Sequence, residues 1–433
     1  MLPEPLCLIA TCDLVAVVRG RAVPASQLAS HLATGVGWVP ANLSLSPFGG
    51  IVNPNPFGSL GDLRLLPDLS SRCHVELGDS TPLDLVLGDL HELDGTPWVA
   101  CPRTFLRNAL ADLEREAGLL MQSSFEQEFQ MPTDVRAAPF SLPSLRKLEP
   151  FASKLFAALA AAGLEPECFA PEYAADQYEI PIAPAIGVAA ADRAIVLREL
   201  VRELARSENR AITFTPITHP DGGGNGTHIH LSLIDATGQP QMGTPTELSK
   251  LAGAFAAGVL RHAPALVALT APTPASFVRL QPHRWSTGIA CLADGNREAM
   301  LRLPTPISIG GRPAEPQTRL EYRAADATAC PYLALGAIVH AGLAGIRDEL
   351  LTPAILHVEA DVLDDAERSQ FEATKLPTSL GEALDALETD PIARHWLPPL
   401  LLEAYLGVKR FEVAEADRDA DAVATCARYA AHY

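Results

Sequence analysis

The chain has 433 residues, 48 % hydrophobic and 20 % charged, a balance that excludes a disordered protein and can fill a substantial core. Acidic residues outnumber basic ones, 52 to 33, for a net charge of −19. Nucleic acid and anionic membrane are excluded as main partners, because both reward clustered Lys and Arg. No apolar run approaches the roughly 20 residues needed to cross a bilayer, and Met1-Leu-Pro-Glu-Pro5 has no basic region of the kind that opens a secretory signal. The eight cysteines (Cys7, Cys12, Cys73, Cys101, Cys168, Cys291, Cys330, Cys426) form no C-x-x-C pair. Reduced, mostly buried thiols in a cytoplasmic protein are expected.

The length suits two domains. Residues 5–52 read as a small mixed domain: a β-rich run over Leu6–Val18, a turn at Arg19-Gly-Arg21, and helical spacing over Pro24–Leu32. The Pro- and Gly-punctuated stretch Asn53–Asp68 reads as a long loop. Strand-like pieces follow to Trp98–Cys101. At Pro102 the character changes, and Arg103–Gly118 is an amphipathic helix with Leu106, Leu110 and Leu113 on one face. The domain boundary is therefore placed near residue 100, dividing the chain into 1–100 and 101–433. Beyond it, helices at Ser144–Ala162 and Ala190–Ser207 alternate with strands at Met121–Met131, Cys168–Ile182 and Ala211–Thr215. A helix spans Pro245–Ala263, and β segments run from Arg279 to Arg323. An apolar helix from Pro331 ends at Gly345, and helices fill Leu376–Leu387 and Asp390–Tyr433.

Chemistry gathers at a few stretches. Asp221-Gly-Gly-Gly-Asn-Gly-Thr-His-Ile-His-Leu-Ser-Leu233 is a glycine-rich turn running into an alternation that puts His228 and His230 on one strand face. Either imidazole could hold a divalent metal or donate to phosphate, although a hairpin with two half-exposed histidines gives the same pattern. Glu126 and Glu128 share a strand face opposite Phe125 and Phe129, so burying them calls for cations. Glu172 and Glu179 add carboxylates near a turn. Arg319, Glu321 and Arg323 alternate on one face, with Arg279, Arg297 and Arg302 in nearby sequence. Such a face is also an ordinary salt-bridged strand surface, but carboxylates and guanidiniums together suit divalent cations and the polyphosphate they bridge.

In this order the motifs resemble the glutamine synthetase family: a Glu-x-Glu strand (Glu126, Glu128), a Glu followed by a Gln-x-Glu (Glu172, Gln177, Glu179), a glycine turn before His-x-His (Gly224 to His230), Asn296-Arg297, and an Arg-x-Glu-x-Arg strand (Arg319, Glu321, Arg323) leading to Pro331-Tyr-Leu333. The resemblance implies an α+β fold, with an N-terminal β-grasp domain and a catalytic domain built on a curved antiparallel sheet surrounded by helices. It implies an ATP-dependent ligase that activates the γ-carboxylate of glutamate as an acyl phosphate for attack by an amine. The assembly implied is a cytoplasmic homo-oligomer of stacked rings with sites between subunits. Glu128, Glu172 and Glu179 would hold one Mg²⁺ or Mn²⁺, and Glu126, His228 and Glu321 the other. His230, Arg302 and Arg319 would contact ATP phosphates, and Arg297 and Arg323 the transferring phosphoryl group. Arg279 would hold the α-carboxylate of the amino acid, beside Gly223 and Gly224. Replacing Glu321 by alanine is expected to abolish turnover and leave the fold intact, since it relieves carboxylate repulsion.

The departures lie on the amine side. Ammonia-using members carry a glutamate six residues after the arginine matching Arg279, where this sequence has Trp285, a residue able to form an apolar or cation–π wall but not a base. Their Asp-Gly-Ser-Ser loop is missing, and Ser44-Leu-Ser-Pro-Phe-Gly-Gly50 stands roughly in its place. Gly223 replaces an asparagine and Asp176 a glycine. These changes resemble relatives that join glutamate to a small organic amine, closest in character to gamma-glutamylpolyamine synthetase-like members. The alternatives are an ammonia-using glutamine synthetase and a non-catalytic homologue that binds nucleotide or amino acid.

Overall fold

The computed structural model describes residues 4–433 except 79, 245, 283, 285, 359–362, 364, 365, 367, 369, 370 and 372. At the N-terminus β1 (Leu6–Cys12) and β2 (Val18–Pro24) form an antiparallel hairpin. Its turn is Asp13–Val17, where the Asp13 carboxylate accepts from the N–H of Val15 and of Val17. The turn expected at Arg19-Gly-Arg21 is therefore misplaced. Gly20 lies within β2, and a Cβ there would come within 2.2 Å of the Ile9 carbonyl oxygen, so this glycine marks a close strand approach. A 3₁₀ helix follows at Ala25–His31.

β3 (Val36–Trp38), β4 (Leu63–Pro67), β5 (Cys73–Val75) and β6 (Leu83–His91) complete the small sheet, in the order β2-β1-β6-β4-β3 with β5 also on β6. β1 and β6 pair in parallel. β4 falls inside the stretch expected to be loop, because Leu63 and Leu65 alternate inward and are buried, a period-2 signal masked by the flanking glycines and prolines.

After the small sheet comes α1 (Pro102–Ala117), which buries Leu106 and Leu113, with Leu110 at its margin, and ends at Gly118 in the left-handed conformation. β7 (Leu120–Gln130) follows. The helix expected over Ser144–Ala162 is two, α2 (Leu142–Arg146) and α3 (Phe151–Ala161), interrupted at Pro150. The strand expected over Cys168–Ile182 is a hairpin, β8 (Ala170–Pro171) and β9 (Gln177–Ile180). Ala211–Thr215 forms no strand; only Thr213 bridges, to Gln130. β10 (Ala185–Ile186), α4 (Val188–Ser207) and β11 (Thr227–Ile234) come next. A small hairpin, β12 (Gly243–Thr244) and β13 (Glu247–Leu248), leads to α5 (Lys250–Arg261), and the expected helix start at Pro245 lies outside the described residues. The apolar α6 (Ala263–Thr270) and short α7 (Pro274–Arg279) continue the chain.

β14 (Ile289–Asp294), β15 (Ala299–Leu303) and β16 (Leu320–Tyr322) return to the sheet. α8 (Pro331–Arg347) runs through Gly345, where a stop was expected, because Gly345 is a contact point with α5: a Cβ there would meet the Ala254 carbonyl oxygen at 2.1 Å. β17 (Ile355–Leu356), β18 (Thr374–Lys375), α9 (Leu380–Thr389), α10 (Pro399–Ala416) and α11 (Ala422–Ala430) complete the described elements.

Among the described residues the large sheet has ten strands, in the order β17-β14-β15-β16-β11-β7-β9-β8, with β10 on β7 and β18 on β14. It is antiparallel from β15 to β8, while β14 pairs in parallel with β15 and β17. One face is core: Phe125, Phe129, Ile229, Leu231, Leu320 and Tyr322 are buried against the helices. The other face is polar. All eight cysteines are free, and seven are buried, Cys168 being exposed. No single helix among the described residues is long and apolar enough to cross a membrane.

Candidate active site

Register alone assembles the polar face. Glu179 stands opposite Glu128, Glu126 opposite His228, and His230 opposite Glu321, which in turn stands opposite Arg302. Because directly paired residues on one face lie about 5 Å apart, the alternation of β9, β7, β11, β16 and β15 writes one continuous line of acids, imidazoles and a guanidinium. A cavity of about 660 Å³ opens over this line. It is lined by Glu126, Glu128, Glu172, Glu179, Gly223, Gly224, His228, His230, Arg279, Arg297, Arg302, Arg319, Glu321 and Arg323. Trp285 lies outside the described residues; its neighbours Arg284 and Ser286 both line the cavity.

The carboxylates divide into two electrostatic groups. Burial and the charges of Glu126, Glu128 and Glu172 push Glu179 far above the usual carboxylate range, and burial followed by repulsion from Glu128 raises Glu172 to about 7. At the other end, burial opposes ionisation of Glu321, but Arg323, His228, His230 and Arg302 outweigh it and hold the group down to about 2. Glu126 is likewise drawn well below its ordinary value, hydrogen bonds from His228 and His230 overcoming its burial.

Two sets of donors come together within 4.8 Å: Glu126, His228 and Glu321, and Glu128, Glu179 and His228. The first is the set expected from the sequence, while in the second His228 takes the place expected of Glu172, which lines the cavity beside them. Oxygen donors with a single imidazole, and carboxylates that resist ionisation for want of a counter-charge, fit divalent cations such as Mg²⁺ or Mn²⁺.

Neighbours orient the ligands. Glu128 Oε2 accepts from the Gly226 N–H (2.7 Å) and from Gln177 Nε2 (3.0 Å), and Gln177 also bonds the Gly224 carbonyl and Asn225 Oδ1. Asn225, buried, donates to the Thr215 carbonyl and pins the glycine turn. Gln177 was read only as part of the Gln-x-Glu motif and Asn225 only as part of the glycine turn, neither as a site residue, since the bonds that give them a role join segments distant in sequence. Gln177→Ala is expected to weaken divalent-cation affinity about 10- to 100-fold, read by isothermal titration, with little change in unfolding temperature.

Arg319 Nε donates to His230 Nδ1 (3.0 Å), and a guanidinium can only donate. His230 therefore keeps its proton on Nε2, which faces Glu126 at 3.4 Å. Arg302 donates to Glu321 at 2.6 Å, Arg323 donates to the other oxygen of Glu321, and Arg323 Nε holds the Arg297 carbonyl. The Arg302 Nε is buried without a hydrogen-bond partner among the described residues, which suits an anionic ligand beside it. Arg279, 2 % exposed, donates to the carbonyls of Arg323, Ala324 and Ala325, so its main-chain bonds fix it at the cavity wall.

The two sequence departures near the turn have local causes. A Cβ on Gly223 would lie 2.6 Å from the Ala174 Cβ, and one on Gly224 would lie 2.6 Å from Arg279 Cγ. Asp176 adopts φ +57°, a conformation that favours glycine, and its carboxylate binds Lys147 Nζ (2.6 Å) and Thr133 Oγ1 (3.0 Å). Lys147 is almost fully buried, so Asp176→Ala is expected to destabilise the fold by about 3 kcal/mol in urea unfolding, while Asp176→Asn, tolerant of the same backbone, loses less. Ser44 to Gly50, in the small domain, contributes nothing to the cavity lining of its own chain.

A cavity that unites paired acids, imidazoles and clustered arginines on a mixed α+β frame suits metal- and nucleotide-dependent group transfer or ligation. Comparison with known proteins narrows the class. The glutamine synthetase catalytic domain matches residues 99–427, and the glutamine synthetase N-terminal domain matches residues 3–98. The chain is 33 % identical to the gamma-glutamylpolyamine synthetase GlnA3 of Streptomyces coelicolor, over 97 % of this chain and 92 % of the relative. It is 28 % identical to a glutamine synthetase of Halobacterium salinarum, over 93 % and 88 %. A crystal structure described as a novel glutamine synthase homolog superimposes with a TM-score of 0.91 at 44 % identity, covering 100 % of this chain and 99 % of that one. The chain belongs to the glutamine synthetase family, and it is an ATP-dependent carbon–nitrogen ligase.

Proposed function

We propose that this ligase joins the γ-carboxylate of glutamate to a small organic primary amine, forming a γ-glutamylamide by way of a γ-glutamyl phosphate. A γ-carboxylate oxygen attacks the terminal phosphorus of ATP and ADP departs; the amine nitrogen then attacks the acyl carbon, phosphate leaves with that oxygen, and the nitrogen sheds a proton. The observation that carries the amine reading is Trp285, standing six residues after Arg279 where ammonia-using members have a glutamate. The similarity to a relative named for polyamine γ-glutamylation supports it.

Glu128, Glu172 and Glu179 would hold one Mg²⁺ or Mn²⁺, and Glu126, His228 and Glu321 the other. When bound, such cations neutralise charge on phosphate oxygens. His230, Arg302 and Arg319 hold the nucleotide phosphates, and Arg297 and Arg323 stabilise the charge of the transferring phosphoryl group; this is largely positioning and electrostatics. Arg279 faces the α-carboxylate, with Gly223 and Gly224 giving the amino acid close access to the backbone. The division near residue 100 separates this catalytic domain from a β-grasp domain that closes the site of a neighbouring subunit in a cytoplasmic ring assembly. The ammonia-using alternative keeps one support, the similarity to relatives named glutamine synthetase. Phosphate release with ATP, Mg²⁺ and glutamate, measured against ammonium and a panel of primary amines, decides between them: kcat/KM higher for an organic amine upholds the proposal, and release with ammonium alone overturns it.

A further inference from the structure

We propose that Phe140 and Tyr173 form the wall that selects the organic amine, taking its carbon body against their rings. The inference rests on the amine reading above and deepens it. The two rings meet edge to face, centroids 4.8 Å apart at 74°, and both line the cavity. They are 52 % and 58 % exposed, so the hydrophobic core does not use them. Among the described residues, an aromatic pair presented to solvent within a cavity otherwise lined almost entirely by charged and polar side chains and glycines is surface prepared for a partly apolar ligand.

The backbone holds them there. Tyr173 follows Glu172 directly, and the Phe140 N–H donates to the carbonyl of Pro171, which precedes Glu172. The two rings are thus tethered to the backbone on either side of Glu172. Phe140 sits at φ +53°, a left-handed conformation uncommon for a bulky residue and the kind of backbone outlier that clusters at ligand sites. Both rings stand at the β8 end of the sheet, whereas His230, Arg302 and Arg319 belong to β11, β15 and the start of β16. β8 and β16 are four interstrand spacings apart, roughly 19 Å. The rings therefore stand toward the other end of the cavity from His230, Arg302 and Arg319. An alkylammonium suits this corner: its charge is attracted by the ring faces, and its methylenes cover the exposed rings. Ammonium has no carbon body and gains nothing from them.

The test uses the full chain with ATP, Mg²⁺ and glutamate, and either 1,4-diaminobutane or ammonium as nitrogen donor. Phe140→Ala, Tyr173→Ala and the double variant are compared with Phe140→Leu and Tyr173→Leu, which keep bulk but lose the ring, and with Tyr173→Phe, which keeps the ring. The ratio of kcat/KM for the diamine to that for ammonium is expected to fall at least tenfold in the alanine and leucine variants, through KM for the diamine, and to stay within threefold of wild type in Tyr173→Phe. A wild-type enzyme that uses the diamine, with a ratio unmoved in the double variant, overturns the inference and leaves the amine-ligase reading standing. A wild-type enzyme that uses ammonium alone, or neither, removes both.

Discussion

Glu179→Gln is expected to lower turnover by at least ~10³-fold and, in the metal-free protein, to raise the unfolding temperature. The first effect follows from losing a carboxylate proposed as a ligand for a divalent cation, whose charge stabilisation is worth several kcal/mol. The second follows from Glu179 lying opposite Glu128 across the β7–β9 register, with Glu126 and Glu172 close by. Measured at a pH high enough to ionise Glu179, the substitution removes one charge from a half-buried cluster and relieves repulsion that the empty ligand set otherwise carries. The same cluster fixes a pH dependence. Glu172 titrates at about 7 in the fold against an ordinary 4.5, and Glu179 is raised further. A carboxyl whose folded value is raised contributes stability fully below its unfolded value and loses it as pH climbs through the folded one. The stabilisation by Mg²⁺ should therefore widen from pH 5 to pH 8, read as the difference in unfolding temperature with and without the ion. A shift that narrowed over this range would contradict the assignment.

Glu321→Ala is expected to abolish turnover as well, with the opposite effect on stability: a loss of about 3–5 kcal/mol in denaturant unfolding. The expectation that this substitution leaves the fold intact does not survive the geometry. Glu321 is 1 % exposed and carries Arg323 on one oxygen and Arg302 on the other, and Arg323 is itself buried. Alanine would take from two guanidiniums the carboxylate they share, in place of relieving repulsion. The depressed value of Glu321, about 2, means that its contribution is present above the ordinary carboxylate range and is lost only as pH falls toward 2. Glu179→Gln and Glu321→Ala thus remove carboxylates from one cavity and move stability in opposite directions.

The site was more legible than the fold around it. Strand alternation on β7, β11 and β16 carried Glu126/Glu128, His228/His230 and Arg319/Glu321/Arg323 to one face without knowledge of the pairing, because a period of two leaves no other choice. Cross-strand register was not legible, and it is register that puts Glu126 opposite His228 and Glu128 opposite Glu179. Glycines misled wherever they served contact and not conformation. Gly20 suggested a turn and Gly345 a helix end, yet each stands where a Cβ would collide with a neighbouring carbonyl. Gly223, noted as a change near the amino acid, is tied to Ala174, a dependence that only tertiary structure reveals. Gln177, Asn225, Phe140 and Tyr173 went unremarked as site residues, since their roles arise from what the β8–β9 turn and the glycine turn bring together.

The most direct measurement supplies glutamate labelled with ¹⁸O in its γ-carboxylate, together with ATP, Mg²⁺ and an equimolar mixture of ammonium and 1,4-diaminobutane, and follows products by mass spectrometry. The expected result is γ-glutamyl-diaminobutane in excess over glutamine, with one ¹⁸O in the released phosphate for each amide formed. Glutamine as the sole product, or phosphate free of ¹⁸O, would contradict it.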